Sequence, residues 1–260
     1  MTTTLRTTTT ERTAATKRAP MDKMRRTALT AGVFYLITFV SIPTLALYGP
    51  VRDHRDWVLG SGASTGVLAG GFLEVIVALA GIGTAVTLYP VVKRQNEGFA
   101  LGFVAARVLE AGLIFTGVIS LLSLVTLRQD LGGTAGANAA ALVTTGASHV
   151  AVYNWTFLLS QSLMPGINAL LLGSLMYRSR LVPRIIPAMG LIAAPLLIAS
   201  VFATLFGGIK LGSPLFAALP VAAWEFSLGV WLVAKGFRPC PITAEIAAAS
   251  TPPAGRGVAA

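Results

Sequence analysis

Charge is what this 260-residue chain has least of: charged residues make up 12% of it, against 54% hydrophobic ones. A soluble domain carries about 25% charged residues, so this chain cannot cover its own surface in water and is read as an integral membrane protein. Cysteine occurs once, at Cys240, which excludes an intrachain disulfide and a cysteine-built metal site. Histidine occurs twice, at His54 and His149, and the hydropathy pattern puts both in loops. With no H-E-x-x-H motif and no histidine pair, zinc metalloprotease chemistry and bis-histidine haem ligation are excluded. No aspartate falls within an apolar run, so an intramembrane aspartyl dyad is excluded too. No P-loop is present. The expectation is a protein that is not an enzyme and uses no cofactor and no metal.

The charge that is present is strongly basic, with 20 Lys and Arg against 10 Asp and Glu. In a soluble chain that balance would suggest nucleic acid. Here the basic residues lie between apolar runs, so they read as topology signals and as contacts with anionic lipid headgroups, with no nucleic-acid partner. Arg178, Arg180 and Arg184, in one tight turn, are the candidate headgroup contacts.

The runs predict an all-α polytopic bundle of six transmembrane helices at about 27–48, 66–88, 98–127, 152–176, 185–206 and 214–234, forming one domain over 27–237. Residues 1–26, Thr-rich and basic, and residues 238–260, rich in Ala and Pro, are expected to be disordered. Ser41-Ile42-Pro43 should kink the first helix, and Tyr89-Pro90 should stop the second. Residues 49–65 form the first loop, and Asn138–Thr145 suggest a short surface helix. Small residues at Gly66, Gly70, Gly71, Ala78, Gly81 and Ala85, and the pair Gly98 and Gly102, allow close helix approach and permit a homo-oligomer. Lys and Arg number 15 on the side of both termini and 4 on the other, so both termini are expected in the cytoplasm.

Against this apolar background Arg107 and Glu110 stand one turn apart in the third run, on a shared face. Counted from the predicted helix midpoints, Glu74, Glu110 and Glu225 all fall within about a turn of the membrane midplane, with Arg107 slightly to the cytoplasmic side. Ionisable groups at that depth are costly and must face protein or trapped water. Three carboxyls cannot each pair with one guanidinium, so the four residues are expected to form one intramembrane polar cluster with shared charge. Asn154, Gln161 and Asn168, at spacings of seven and seven, form a polar stripe on the fourth helix that would line the same cavity. Two readings follow. The cluster belongs to a small transporter or permease and binds a proton or polar cargo; or it is polar glue in a non-transporting scaffold, accessory or signalling protein. The substrate is not legible in either case.

Several short stretches carry a resemblance: Thr30-Ala31-Gly32-Val33-Phe34-Tyr35-Leu36, Leu73-Glu74, Leu88-Tyr89-Pro90-Val91-Val92-Lys93, Arg107-Val108-Leu109-Glu110, Trp224-Glu225 and, most specific, Tyr177-Arg178-Ser179-Arg180-Leu181-Val182-Pro183-Arg184. With these the chain resembles, over about residues 25–237, the bacterial membrane family known as domain of unknown function 4386. The resemblance implies a six-helix protein of the bacterial cytoplasmic (inner) membrane whose polar intramembrane positions recur, and it brings no activity with it.

Overall fold

All six apolar runs are helical in the computed structural model, which describes residues 23–249 other than 132, 134, 135, 209 and 211–213. The first span is α1 (Lys23–Ile37), a 3-10 turn (Thr38–Ser41) and α2 (Thr44–Leu47), with α3 (Gly49–Asp53) following as a short surface helix. Then come α4 (Thr65–Val92), α5 (Glu97–Leu131), α6 (Ala139–Leu158), a π turn (Leu159–Leu163) and α7 (Met164–Ser179). The chain continues through α8 (Ile185–Leu205), α9 (Pro214–Ala234) and α10 (Pro241–Ala249). Six stretches are long and apolar enough to cross a membrane, with α6, the π turn and α7 acting as one of 41 residues. The chain is a multi-pass membrane protein, and no strand occurs among the described residues.

Each spanning helix packs on the next in sequence, and α1 packs on α9, so the six close into a ring. Glycine makes that closure possible: a Cβ on Gly32 would lie 2.8 Å from the backbone oxygen of Gly229. One end of the ring holds the larger apolar core, including Tyr35, Phe103, Leu172, Leu197 and Trp224; the other holds a smaller core around Tyr48, Leu121 and Tyr153. The first end also collects the basic connections. Arg25 donates to the carbonyls of Leu232 (2.9 Å) and Val233 (2.6 Å) at the C-terminus of α9, Arg238 N–H donates to Leu181 O (2.8 Å), and Arg94 sits 3.9 Å from Glu245. A guanidinium on the unpaired carbonyls of a helix C-terminus satisfies them and complements the helix dipole.

Several boundaries differ from those read in the sequence. The first helix breaks at Thr38, one turn before Pro43, because the proline has no N–H and its ring crowds the carbonyl four residues back. Thr38, Ser41 and Thr44 donate their hydroxyls to the carbonyls of Tyr35 (2.6 Å), Thr38 (3.1 Å) and Ser41 (2.6 Å), which steadies the tightened turn. Tyr89-Pro90 does not stop the second helix. Pro90 falls in its last turn, where a single lost N–H is cheap, and Leu88, Val91 and Val92 are buried. Of the residues expected to form a loop and a surface helix before 152, Arg128–Leu131 extend α5, and Ala139–Ala151 are a continuous extension of the fourth span, held by burial of Leu142 and Gly146. His149 is therefore in a helix, not a loop. The C-terminal segment expected to be disordered contains α10, which starts on Pro241, has the Thr243 hydroxyl accepting Cys240 N–H at 2.8 Å, and buries Ile242. The expectations for residues 1–22 and 250–260 lie outside the described residues.

Candidate functional site

Distance along the helices from the basic end fixes the depth of each polar group. At about 1.5 Å per residue, Arg107 lies ~15 Å from the start of α5, Asn168 ~16 Å from the end of α7, and Glu225 ~14 Å from the end of α9. Three helices thus bring polar side chains to one height, near the middle of a ~30 Å hydrocarbon layer. There Arg107 Nη1 donates to both oxygens of Glu110 (3.2 and 3.1 Å), and Nη2 donates to Glu225 Oε1 at 2.5 Å. Asn168 Nδ2 donates to Glu110 Oε2 at 2.7 Å, so α5 is tied to α7 as well as to α9. The rings of Tyr35 and Phe103 flank the guanidinium with centroids 5.5 and 5.7 Å from its carbon, the arrangement of a cation–π contact. Arg107 is 3% exposed and Glu110 6%, so both are withdrawn from any solvent outside the bundle.

The cluster forms one wall of a cavity of about 360 Å³. Phe39, Ile42 and Leu45 of the first span border it on one side and Phe216, Leu219 and Ala222 of α9 on the other, with Gln161 and Pro165 behind. Glu225 Oε2 has no hydrogen-bond partner among the described residues, whereas both oxygens of Glu110 are engaged. Arg107 Nε and Asn168 Oδ1 are buried without partners among the described residues.

The profile of the family described as domain of unknown function (DUF4386) matches residues 30–236. The chain belongs to the DUF4386 family. Comparison with curated proteins and with solved structures gives no match. The DUF4386 match runs from the middle of α1 to the end of α9, the cluster included, and leaves out α10.

Not every polar residue singled out in this DUF4386 sequence joins the cluster. Glu74 is the exception among the four charged ones: ~27 Å from the basic end of α4, it sits more than two turns beyond Arg107. Its carboxylate accepts instead from Tyr153 Oη (3.0 Å) and Tyr48 Oη (3.4 Å). The expected meeting at one depth fails because α4 and α5 both run past their predicted ends, to Val92 and Leu131, which shifts their midpoints and leaves Glu74 and Glu110 on opposite sides of the middle. The stripe of the fourth span divides in the same way. Asn168 binds the cluster, Gln161 lines the cavity, and Asn154 Oδ1 accepts from Arg52 Nε at 3.1 Å near the far end. Tyr48, Tyr153 and Arg52 were not picked out in the sequence. Their signal was weak, since tyrosine at a helix end reads first as an interfacial anchor.

Arg178, Arg180 and Arg184 are exposed at the basic end, with Arg184 stacked 5.1 Å from the centroid of Tyr177. Arg180 adopts φ +58° as the left-handed cap of α7. Ser120 Oγ donates to the backbone oxygen of His149 at 2.9 Å and stands 3.2 Å from its Nδ1, a pairing made possible by the helical position of His149. Among the described residues no group of His, Cys, Asp and Glu has the arrangement of a metal site.

Proposed function

We propose that this DUF4386 protein is a small permease of the bacterial cytoplasmic membrane, with both termini cytoplasmic, that binds its cargo or a coupling proton at Arg107, Glu110 and Glu225. The observation that carries the reading is the cavity of about 360 Å³ with a buried ion network as one wall and a carboxylate oxygen, Glu225 Oε2, left for an incoming group. Ionisable side chains in a membrane interior are retained against an insertion cost of roughly 3 kcal/mol each, which favours a task over decoration. Two of the spans that line the cavity are irregular beside it, the first with its 3-10 turn and the fourth with its π turn, and broken helices are the usual moving parts of transporters. The basic turn at Arg178, Arg180 and Arg184 then rests on anionic headgroups at the cytoplasmic face. The test is flux: purified protein in liposomes under an imposed pH gradient, with an internal pH dye. Proton movement above that of empty liposomes, lost in Glu225→Gln and kept in Arg178→Gln, is the expected result.

A second reading draws on the same bonds. Asn168 to Glu110 and Arg107 to Glu225 join three helices, as polar glue does in membrane bundles. Absence of flux under proton, sodium and potassium gradients alike would favour that reading, a scaffold or accessory protein, over the permease.

A further inference from the structure

The cavity is not built like a site for a small inorganic ion. Among the residues around it, the hydroxyls of Thr38, Ser41 and Thr44 are already spent on backbone carbonyls, so they offer no hydrogen to a ligand. Apart from the cluster only Gln161 presents a polar group, and the other walls are Phe39, Leu45, Val77, Phe157 and similar side chains. The mouth is apolar as well as exposed: Ile42 is 61%, Leu219 61% and Phe216 78% accessible, and all three lie on spanning helices where the surrounding medium is lipid. The opening between the first span and α9 therefore faces sideways, toward acyl chains. At the blind end one guanidinium meets two carboxylates, a formal excess of one negative charge with both carboxylates ionised, and Glu225 Oε2 is the oxygen left unpaired among the described residues.

We propose that the site takes a hydrophobic monovalent organic cation, which enters laterally from the bilayer between the first span and α9 and sets its positive centre against Glu225. The inference rests on the permease reading and names its cargo class. Apolar walls replace the hydration of the ligand's body, and the unpaired carboxylate oxygen replaces that of its charge. An anion of the same shape meets the same walls and is repelled by the excess charge, so selectivity resides in the sign of the charge.

The test uses the full chain in nanodiscs and a matched pair of probes, tetraphenylphosphonium and tetraphenylborate, with binding to empty nanodiscs subtracted. Saturable binding of the cation and none of the anion is expected. In Glu225→Gln the cation affinity should fall roughly tenfold or more, the loss of one charge-assisted contact. In Ala222→Phe, which fills the cavity without touching the charges, binding should be lost as well. Each variant is first required to match the parent in elution profile, and Ala218→Phe serves if Ala222→Phe does not fold. Equal binding of both probes, or cation binding indifferent to Glu225→Gln and to the cavity-filling variants, overturns the proposal. Proton flux that depends on Glu225 with no tetraphenylphosphonium binding overturns the cargo assignment and leaves the permease standing. Absence of both binding and flux overturns the two together.

Discussion

One guanidinium serving two carboxylates predicts an order of stabilities that no set of independent contacts would give. Changing Arg107 to Gln leaves Glu110 and Glu225 facing each other inside the bundle, with Asn168 as the remaining donor within hydrogen-bond reach of Glu110. Stranding buried charge in this way costs about 3–5 kcal/mol. For a domain of this size that is a fall of roughly 6–20 °C in unfolding temperature, at about 2–4 °C per kcal/mol. Glu225→Gln should be milder, because Arg107 keeps both contacts to Glu110 at 3.1 and 3.2 Å. Glu110→Gln likewise leaves Arg107 balanced by Glu225 at 2.5 Å. Each single carboxylate change is expected to cost about 1 kcal/mol, near the net worth of one hydrogen bond. The double variant Glu110→Gln/Glu225→Gln strands the guanidinium and should return to about 3–5 kcal/mol, well above the sum of the singles.

Thermal unfolding of the purified variants, followed by tryptophan fluorescence in one detergent, measures all four. Of the four tryptophans, Trp224 adjoins Glu225 in sequence and is fully buried, so part of the signal originates beside the site. The reasoning fails if either single Glu→Gln variant falls as far as Arg107→Gln, or if the double variant merely adds the singles. In the first case the guanidinium would not be shared; in the second its two partners would be energetically independent.

Three further outcomes are expected. Gly32→Ala should destabilise by about 1–3 kcal/mol, since its Cβ would lie 2.8 Å from Gly229 O and 2.9 Å from Leu232 Cβ, whereas Gly112→Ala meets nothing within 4 Å and should be neutral or slightly stabilising; chemical unfolding of the pair checks the ring closure. Cys240, the chain's single cysteine, should react with a membrane-impermeant maleimide in inside-out vesicles and stay unlabelled in intact cells; the reverse result would invert the assigned topology. Tyr153→Phe removes the 3.0 Å donor to the 2%-exposed Glu74 and should cost about 1–3 kcal/mol by thermal unfolding, and an unchanged unfolding temperature would deny that bond any structural weight.

The six spans were legible because hydropathy over about 20 residues is a bulk signal that single residues hardly disturb. Their ends were not, because each end depends on a tertiary contact. Pro90 looks like a stop in isolation but is overruled by the burial of Leu88, Val91 and Val92; the stretch Ala139–Ala151 looks too polar for a membrane helix but is drawn into one by packing against α5. That error in ends propagated directly into the site. From the predicted midpoints Glu74 and Glu110 each lie only about 4 Å off centre, whereas from the midpoints of the observed α4 and α5 they lie about 6–7 Å off centre, on opposite sides. Arg107 with Glu110 was legible from spacing alone, since residues three apart on a helix share a face. Glu225 followed from depth alone, because α9 ends where the sequence says it does.

What the sequence does not display is that two local irregularities meet across the cavity. The 3-10 turn Thr38–Ser41 and the π turn Leu159–Leu163 lie in different spans, yet both contribute to its walls through Thr38, Phe39, Ser41 and Gln161.

 Each turn departs from regular α-helix for its own local reason. Pro43 removes a donor and crowds Phe39 O in the first span, and Pro165 does the same to Gln161 O in the fourth. The helix widens ahead of Pro165 where it tightens ahead of Pro43, and both adjustments leave backbone of altered pitch bordering the same space. A regular helix at either place would carry its side chains straight past the cluster. With both prolines present, the first span bends at the height where Arg107 meets Glu225, and the cavity occupies the room between them. Replacing Pro43 by Ala should therefore restore helical pairing in the first span and narrow the opening, reducing access to Glu225 while leaving the ion network intact. Access is measurable as the rate at which Ala222→Cys, placed in a Cys240→Ser background, reacts with a small maleimide. A rate unchanged by Pro43→Ala would show that the opening does not depend on the break, and the two irregular turns would then have no common purpose.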